Sequence, residues 1–244
     1  QLKHLNSCLI KKKVYTLWMT LLKDNMLEEN LKDILNFIKD GNNLKEKITL
    51  VGATKTQNIE TIQKAVDLGL KVVAENRVQE FLEKKDKLKN CEQQFIGHLQ
   101  TNKVKYLVGF VSLIQSVDSI HLAEAINEQA KKKDIIQDIL VEINIGGELS
   151  KSGINPDNAI DIVRDIAKLQ NIKVKGLMAM LPKTENETLL KNLCLKMREI
   201  YDTLIKEGFD FTYLSVGMSH DYKIAIQNGS NMIRVGSSIF GQRV

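Results

Sequence analysis

Short apolar segments alternate with amphipathic segments along most of the chain, and this pattern predicts eight strands separated by helices. The predicted strands are residues 48–53, 71–77, 94–100, 113–119, 138–146, 174–180, 213–219 and 232–241. One intervening helix begins clearly, because Asn155 is a favoured cap and Pro156 suits the first helical position. A further helix is predicted from Met26, with Leu27, Leu31 and Ile34 at helical spacing and Gly41 as its stop.

Regular alternation of this kind favours parallel strands joined by right-handed crossovers. Eight strands within residues 48–241 predict an α/β fold, a single (β/α)8 TIM barrel formed by residues 26–244 with an extra N-terminal helix. That helix is expected to pack outside the barrel or to close its bottom face. The rival fold is an open doubly wound sheet, which would favour a glycine-rich phosphate loop, and neither GxGxxG nor GxxxxGK[ST] occurs here.

Charge is concentrated at the start of the chain. Of the net +5, residues 1–25 carry five lysines against one aspartate, so the rest is nearly neutral and no nucleic-acid partner is expected. We interpret residues 1–25 as a basic extension, disordered or left over from expression. No apolar run reaches the roughly 20 residues of a membrane span, and three widely spaced cysteines without metal-ligand spacing favour a reducing compartment. We therefore expect a cytoplasmic monomer or weak dimer, with no membrane partner.

Candidate chemistry begins at Lys55, which follows the first strand and so lies at the carboxyl end of the barrel, where ligands bind. The segments SVGMS, residues 215–219, and RVGSS, residues 234–238, supply glycines and hydroxyls after strands seven and eight, a common phosphate site in barrels. A surface ion pair at Lys55 and two ordinary turns would explain the same residues. Taken together, an amine opposite a phosphate site suggests pyridoxal 5′-phosphate (PLP), held as a Schiff base.

Arg234 is expected to hydrogen-bond the pyridine nitrogen of that cofactor. Because a guanidinium is always cationic, it would leave the nitrogen unprotonated and weaken the ring as an electron sink. This choice favours holding the cofactor, or racemase-like chemistry, over transamination.

Several motifs, in this order, resemble one known family. They are GATKTQ, AENRVQEF, FIGHLQTNKVK, VEINIGGELSKSG, GLMAM, LSVGMSHDY and IRVGSSIFGQR. From Ile48 to Arg243 the chain is similar to the YggS/PROSC family of pyridoxal phosphate homeostasis proteins, whose fold is the N-terminal barrel of alanine racemase. The chain departs from the family pattern at Thr54, Gly146 and His220.

The resemblance implies roles for individual residues. Lys55 would be the Schiff-base lysine. Asn76 and Met178 would line the ring, and Arg234 would face its nitrogen. The phosphate would be held by Ser215, Gly236 and Ser237, with Gly217 and Met218 in the same cup. His98 and residues 150–153 would lie near the mouth, although a hydrogen-bonded barrel histidine is an alternative for His98.

The resemblance implies a PLP carrier in vitamin B6 homeostasis and amino-acid balance, with apo forms of PLP-dependent enzymes as expected partners. The alternative is a PLP-dependent racemase. Such an enzyme needs an acid/base on each face of the substrate carbon, and Lys55 serves only one face. The chain given ends at Val244, and we identify no second base for the other face, so we expect little or no catalysis. A third hypothesis, a Schiff-base aldolase without cofactor, would use the same lysine.

Overall fold

A computed structural model describes residues 23–148 and 152–241. The described chain forms a closed barrel of eight parallel strands in sequence order. The strands are β1 (Thr49–Ala53), β2 (Val72–Glu75), β3 (Glu92–Phe95), β4 (Leu113–Val117), β5 (Gln137–Ile143), β6 (Ile172–Ala179), β7 (Tyr213–Val216) and β8 (Met232–Val235). The last strand pairs with the first, Thr49 opposite Met232, which closes the ring. The predicted (β/α)8 TIM barrel is therefore confirmed.

Helices surround the barrel. They are α1 (residues 23–38), α2 (Ile59–Asp67), α3 (Val78–Lys84), α4 (Ile120–Lys132), α5 (Ala159–Ile166), α6 (Glu187–Lys206), α7 (Tyr222–Gln227) and α8 (Ser237–Phe240), with short 3-10 helices at Thr101–Tyr106 and Pro156–Asn158. Most of the outer core lies between these helices and the outward faces of the strands, where side chains such as Phe95, Ile139 and Val163 are fully buried. In the described part of the chain, no helix has the length and apolar character that a membrane crossing requires.

The extra N-terminal helix packs against the outside of the barrel, the first of its two expected positions. Its buried residues Leu27, Leu31 and Ile34 join one cluster with side chains of α2, α7 and α8 and with outward residues of β1 and β8. The helix already includes residues 23–25, which the sequence assigned to the basic extension, and Asp24 forms an ion pair of 2.6 Å with Lys64 of α2. Residues 1–22 of that extension lie outside the described residues.

Most predicted strands run too far at their carboxyl ends, and the last is the clearest correction. Residues 232–241 form only the four residues of β8, and Ser237–Phe240 is a helical turn. Likewise β7 ends at Val216, because Gly217 has φ +107°, a conformation outside the strand region. The residues beyond each strand thus leave the sheet and form the loops around the mouth.

Candidate functional site

A cavity of about 520 Å³ opens at the carboxyl ends of the strands. Seven of the ten predicted site residues line it, namely Lys55, Asn76, His98, Met218, Arg234, Gly236 and Ser237. Other residues in its wall include Thr56, Gln57, Ile96, Met180, Ser219 and His220. The barrel therefore brings an amine, a guanidinium and the two predicted Gly/Ser turns to one concave site.

Lys55 is solvent-exposed at the rim of this cavity, directly after β1 and Thr54. No carboxylate among the described residues lies within ion-pair distance of its amine. The alternative of a rim lysine held in a surface salt bridge therefore gains no support from the geometry. An exposed, unpaired lysine amine beside a cavity is available to react with a carbonyl compound.

The β7 and β8 turns meet through Ser219. Its hydroxyl oxygen accepts hydrogen bonds from the backbone N–H groups of Gly236 (3.1 Å) and Ser238 (3.3 Å). In turn, the Ser238 hydroxyl donates to the Ser219 carbonyl (3.3 Å). The Ser219 hydroxyl oxygen thus accepts two backbone hydrogen bonds in the turn that the sequence predicted to bind phosphate oxygens.

Arg234 lies below the centre of the cavity and is only 4% exposed. Its guanidinium donates to the carbonyl oxygens of Ser215 (2.8 Å) and Ala179 (2.9 Å) and to the Ser215 hydroxyl. Burial lowers the pKa of Arg234 to about 10, while the negative charges of Glu142 and Asp221 oppose that shift. The side chain is therefore cationic at neutral pH and fixed in direction by β6 and β7.

A chain of hydrogen bonds continues from Arg234 through the inside of the barrel. The Ser215 hydroxyl donates to Gln115 (2.7 Å), the Gln115 amide donates to Gln94 (2.6 Å), and the Gln94 amide donates to Glu92 (2.8 Å). Every donor in this series points away from Arg234, so a buried cation is linked to a surface carboxylate at the opposite end of the barrel.

His98 and Asn76 form the side of the cavity next to Lys55. His98 Nδ1 lies 3.4 Å from Asp118 Oδ2 and 3.3 Å from the hydroxyl of Ser152, and its side chain is 63% exposed. Asn76 presents a buried side-chain oxygen that has no hydrogen-bond partner among the described residues. Because Asn76 lines the cavity, this acceptor lies close to any ligand bound there. Residues 149–151, which include half of the predicted 150–153 segment, lie outside the described residues.

Three predicted residues do not line the cavity. Met178 is buried in the barrel interior beneath it, and Met180, two residues later, lines the wall instead. Ser215 is fully buried under Arg234 and acts on the cavity only through that arginine. Gly217 forms the turn after β7, where a side chain would meet the Tyr222 backbone at 2.9 Å.

Comparisons with known proteins agree with this geometry. Residues 26–244 match the family model described as alanine racemase, N-terminal domain. A protein of Aquifex aeolicus (strain VF5) named pyridoxal phosphate homeostasis protein is 46% identical over 197 residues, which covers 80% of this chain and 86% of that protein. The chain belongs to the pyridoxal phosphate homeostasis protein family. A family member of Escherichia coli (strain K12) is 32% identical over 81% of this chain and 87% of its own length.

Solved structures share the barrel fold. PipY of Synechococcus elongatus PCC7942, solved with PLP bound, superposes with a TM-score of 0.78 at 26% identity and covers 88% of this chain and all of its own. Alanine racemase of Clostridium difficile 630 has a TM-score of 0.77 at 17% identity, covering 90% of this chain and 57% of its own. At that identity the racemase shows the shared barrel fold alone.

Glu142 is a buried acid in the barrel interior of this family member, and the sequence analysis did not select it. It is 2% exposed, on β5. Burial, together with the charge of Asp118, raises its pKa from 4.5 to about 7, against the opposing charges of Arg234 and His98. Between pH 4.5 and about 7, this carboxyl therefore binds more protons in the folded protein than in the unfolded chain.

Folding stability is therefore expected to fall as pH rises from about 4.5 to about 7, because the buried carboxyl must then ionise. Glu142→Gln removes this titration, so the stability difference between variant and wild type should shift in favour of the variant by on the order of 3 kcal/mol between pH 4 and pH 8. Urea unfolding of both proteins, without ligand, at pH 4, 6 and 8 measures the difference. Parallel pH dependences would contradict the expectation.

The residues missed by the sequence analysis share one signal. Gln94, Gln115 and Glu142 are polar residues that lie buried at inward positions of β3, β4 and β5. Strand alternation places them inside the barrel, where an isolated polar side chain needs a partner. Met180 had a weaker signal, since it stands two residues after Met178, and Ser219 lies within the predicted turn 215–219 but was given no role of its own.

Proposed function

We propose that this chain binds pyridoxal 5′-phosphate covalently through the Lys55 amine and serves as a carrier in vitamin B6 homeostasis and amino-acid balance, with little or no catalysis. The single observation that carries the proposal is the joint placement of Lys55, Arg234 and the Ser219–Gly236–Ser237 turns around one cavity. The names of its relatives and the PLP-bound PipY structure support the same ligand.

The residues present fit this cofactor, which supplies an aldehyde for an amine and an electron-withdrawing ring. Asn76 contributes a buried oxygen without a hydrogen-bond partner in the described part of the chain, and the ring hydroxyl of the cofactor is a donor of the matching kind. Arg234 offers a fixed cationic donor for the pyridine nitrogen. Gly236, Ser237 and Ser219 line the cavity together, and the turn that they form, with its backbone N–H groups and hydroxyls, is of the kind that suits phosphate oxygens.

The exposure of Lys55 and His98 favours a carrier over a racemase. Both side chains reach solvent at the mouth, and water access works against carbanion chemistry. An open mouth also lets the cofactor leave for another protein. In this proposal residues 26–244 form the binding unit, which acts in the cytoplasm as a monomer or weak dimer and passes PLP to apo forms of PLP-dependent enzymes.

The test compares PLP with pyridoxal, which has the aldehyde but no phosphate. We expect PLP to give a visible absorption band that borohydride abolishes, with about 100-fold weaker binding of pyridoxal because the phosphate contacts are lost. We also expect the loaded protein to restore activity to an apo-aminotransferase. Equal affinities for PLP and pyridoxal would show that the cavity has no phosphate site. Racemisation of alanine, serine or another amino acid at rates of about 1 per second or more would replace the carrier by the racemase alternative.

A further inference from the structure

A buried charged cluster lies directly beneath the Lys55 loop, and none of its members lines the cavity. Its members, here called the Lys84 cluster, are Glu75 at the end of β2 and Glu80 and Lys84 on α3. The Lys84 amine lies 2.7 Å from Glu75 and 3.3 Å from Glu80. The side chains of Lys84 and Glu75 are only 9% and 6% exposed.

The cluster binds the chain on both sides of Lys55. On one side, the Lys84 amine donates to the Thr54 carbonyl (3.1 Å), and the Thr54 hydroxyl donates to Glu75 (2.6 Å). On the other side, Glu80 accepts a hydrogen bond from the Thr56 backbone N–H (2.8 Å). Lys55 is therefore the single residue between two anchored neighbours, and its own amine is left out of the cluster.

The backbone at this point adopts a conformation that needs support. Thr56 has φ +64°, the left-handed region that β-branched residues rarely occupy. Such conformations persist where surrounding contacts determine them, and they concentrate at functional sites. The hydrogen bond to Glu80 is the contact that the described structure provides for the Thr56 N–H.

The composition of the cluster argues against a role in stability alone. Buried ion pairs are often no better for stability than apolar side chains of similar size. Burial raises the pKa of Glu75, against its bonds to Lys84 and Thr54, and its second oxygen has no partner among the described residues. Burial acts to raise the pKa of Glu80 too, but the Thr56 N–H and Lys84 lower it below its usual value. Glu80 therefore stays ionised as an acceptor.

We propose that the Lys84 cluster is the positioning device for Lys55, fixing the turn after β1 so that the lysine amine faces the cavity. The cluster acts through Thr54 and Thr56 and does not itself contact the ligand. The inference rests on the proposed function for the identity of that ligand, but the position of Lys55 can be measured in the ligand-free protein.

Two matched pairs of variants test it. Glu80→Ala removes the acceptor for Thr56, and Glu83→Ala, one residue before Lys84 on the same helix and exposed, is its control. Lys84→Met removes the central cation. Lys85→Met is its control, because the Lys85 amine pairs with Asp86 and lies over the Phe110 ring, and among the described residues it contacts neither Thr54 nor Thr56. Each protein is examined by amide exchange at Thr56, by the carbon NMR signal of dimethylated Lys55, assigned with Lys55→Arg, and by the rate of PLP uptake.

We expect Glu80→Ala to speed Thr56 exchange, to shift or broaden the Lys55 signal, and to slow PLP uptake by about tenfold, since small displacements of a reacting group reduce its rate strongly. The melting temperature should change little, because Glu80 is near the surface. Lys84→Met should have the same effects more strongly, and both controls should match wild type. If Lys84→Met does not fold, Glu80→Ala decides the question.

An unchanged Lys55 signal and unchanged uptake in Glu80→Ala would overturn the proposal and leave the cluster a purely structural anchor of α3. Failure of the proposed function has a different signature. In that case the wild-type protein itself takes up no PLP, while the NMR signal and the amide exchange of the ligand-free variants still show whether the cluster positions Lys55.

Discussion

Lys55→Ala is expected to lose all borohydride-stable incorporation of PLP and its visible absorption band. The reason is chemical: Lys55 carries the amine in the cavity wall, and alanine offers no nucleophile for the aldehyde. The remaining contacts of the cavity would still hold PLP weakly, with a dissociation constant raised by about 100-fold or more once the covalent bond is lost. Absorption spectra with added PLP, followed by borohydride and peptide mass spectrometry, measure both effects.

Lys47→Ala is the matched control for this prediction. Lys47 is exposed just before β1, at the opposite end of the same strand from Lys55. This variant should incorporate PLP as wild type does, with the mass increase on the peptide that contains Lys55. A full visible band in Lys55→Ala, fixed by borohydride on another peptide, would show that a different lysine carries the cofactor.

Arg234→Met is expected to have the second largest effect, on stability and on PLP binding together. The substitution leaves the carbonyls of Ser215 and Ala179 without their buried donor, at a cost of about 2–4 kcal/mol in the free energy of unfolding. It also removes the positive charge that lowers the pKa of Glu142, so that pKa should rise above about 7. PLP affinity should fall by about tenfold or more, because the fixed donor for the ring nitrogen is gone.

The control is Arg164→Met, the same substitution at an exposed arginine that pairs with Asp161 and Glu207. Its expected cost is below about 1 kcal/mol, because surface ion pairs contribute little. Urea unfolding and PLP titration of both variants give the comparison. Equal stability losses in the two variants, or wild-type PLP affinity in Arg234→Met, would show that Arg234 does not have the role assigned to it.

The fold could be predicted from sequence because its signal is a repeated alternation of apolar runs and amphipathic helices. The ends of the strands were harder to predict from the sequence. In the segment 232–241 the apolar residues Ile239 and Phe240 continue the strand pattern, yet they belong to α8. Short apolar runs suit strands and helices equally well, and only the turn at Gly236, held by Ser219, settles which one forms.

Site residues with distinctive side-chain chemistry were predicted well. Residues whose role depends on how deep they lie in the barrel were predicted poorly. Lys55, Arg234 and the two Gly/Ser turns have distinctive chemistry, and the cavity brings them together. Met178 and Met180 are of the same type and both belong to the barrel interior, so alternation cannot separate them. Their height relative to the cavity depends on the stagger of neighbouring strands, which a single sequence does not reveal.

The hydrogen-bonded series from Arg234 to Glu92 has a consequence for anyone who engineers this barrel. Each member donates to the next, so none of the side-chain amides can turn over without breaking two links. The bottom of a barrel is usually treated as a place where changes affect stability alone. Here a substitution at Glu92 would alter the terminal acceptor of a polarised series that begins at the buried guanidinium beneath the cavity. Redesign of either face therefore has to treat the two ends as one electrostatic unit.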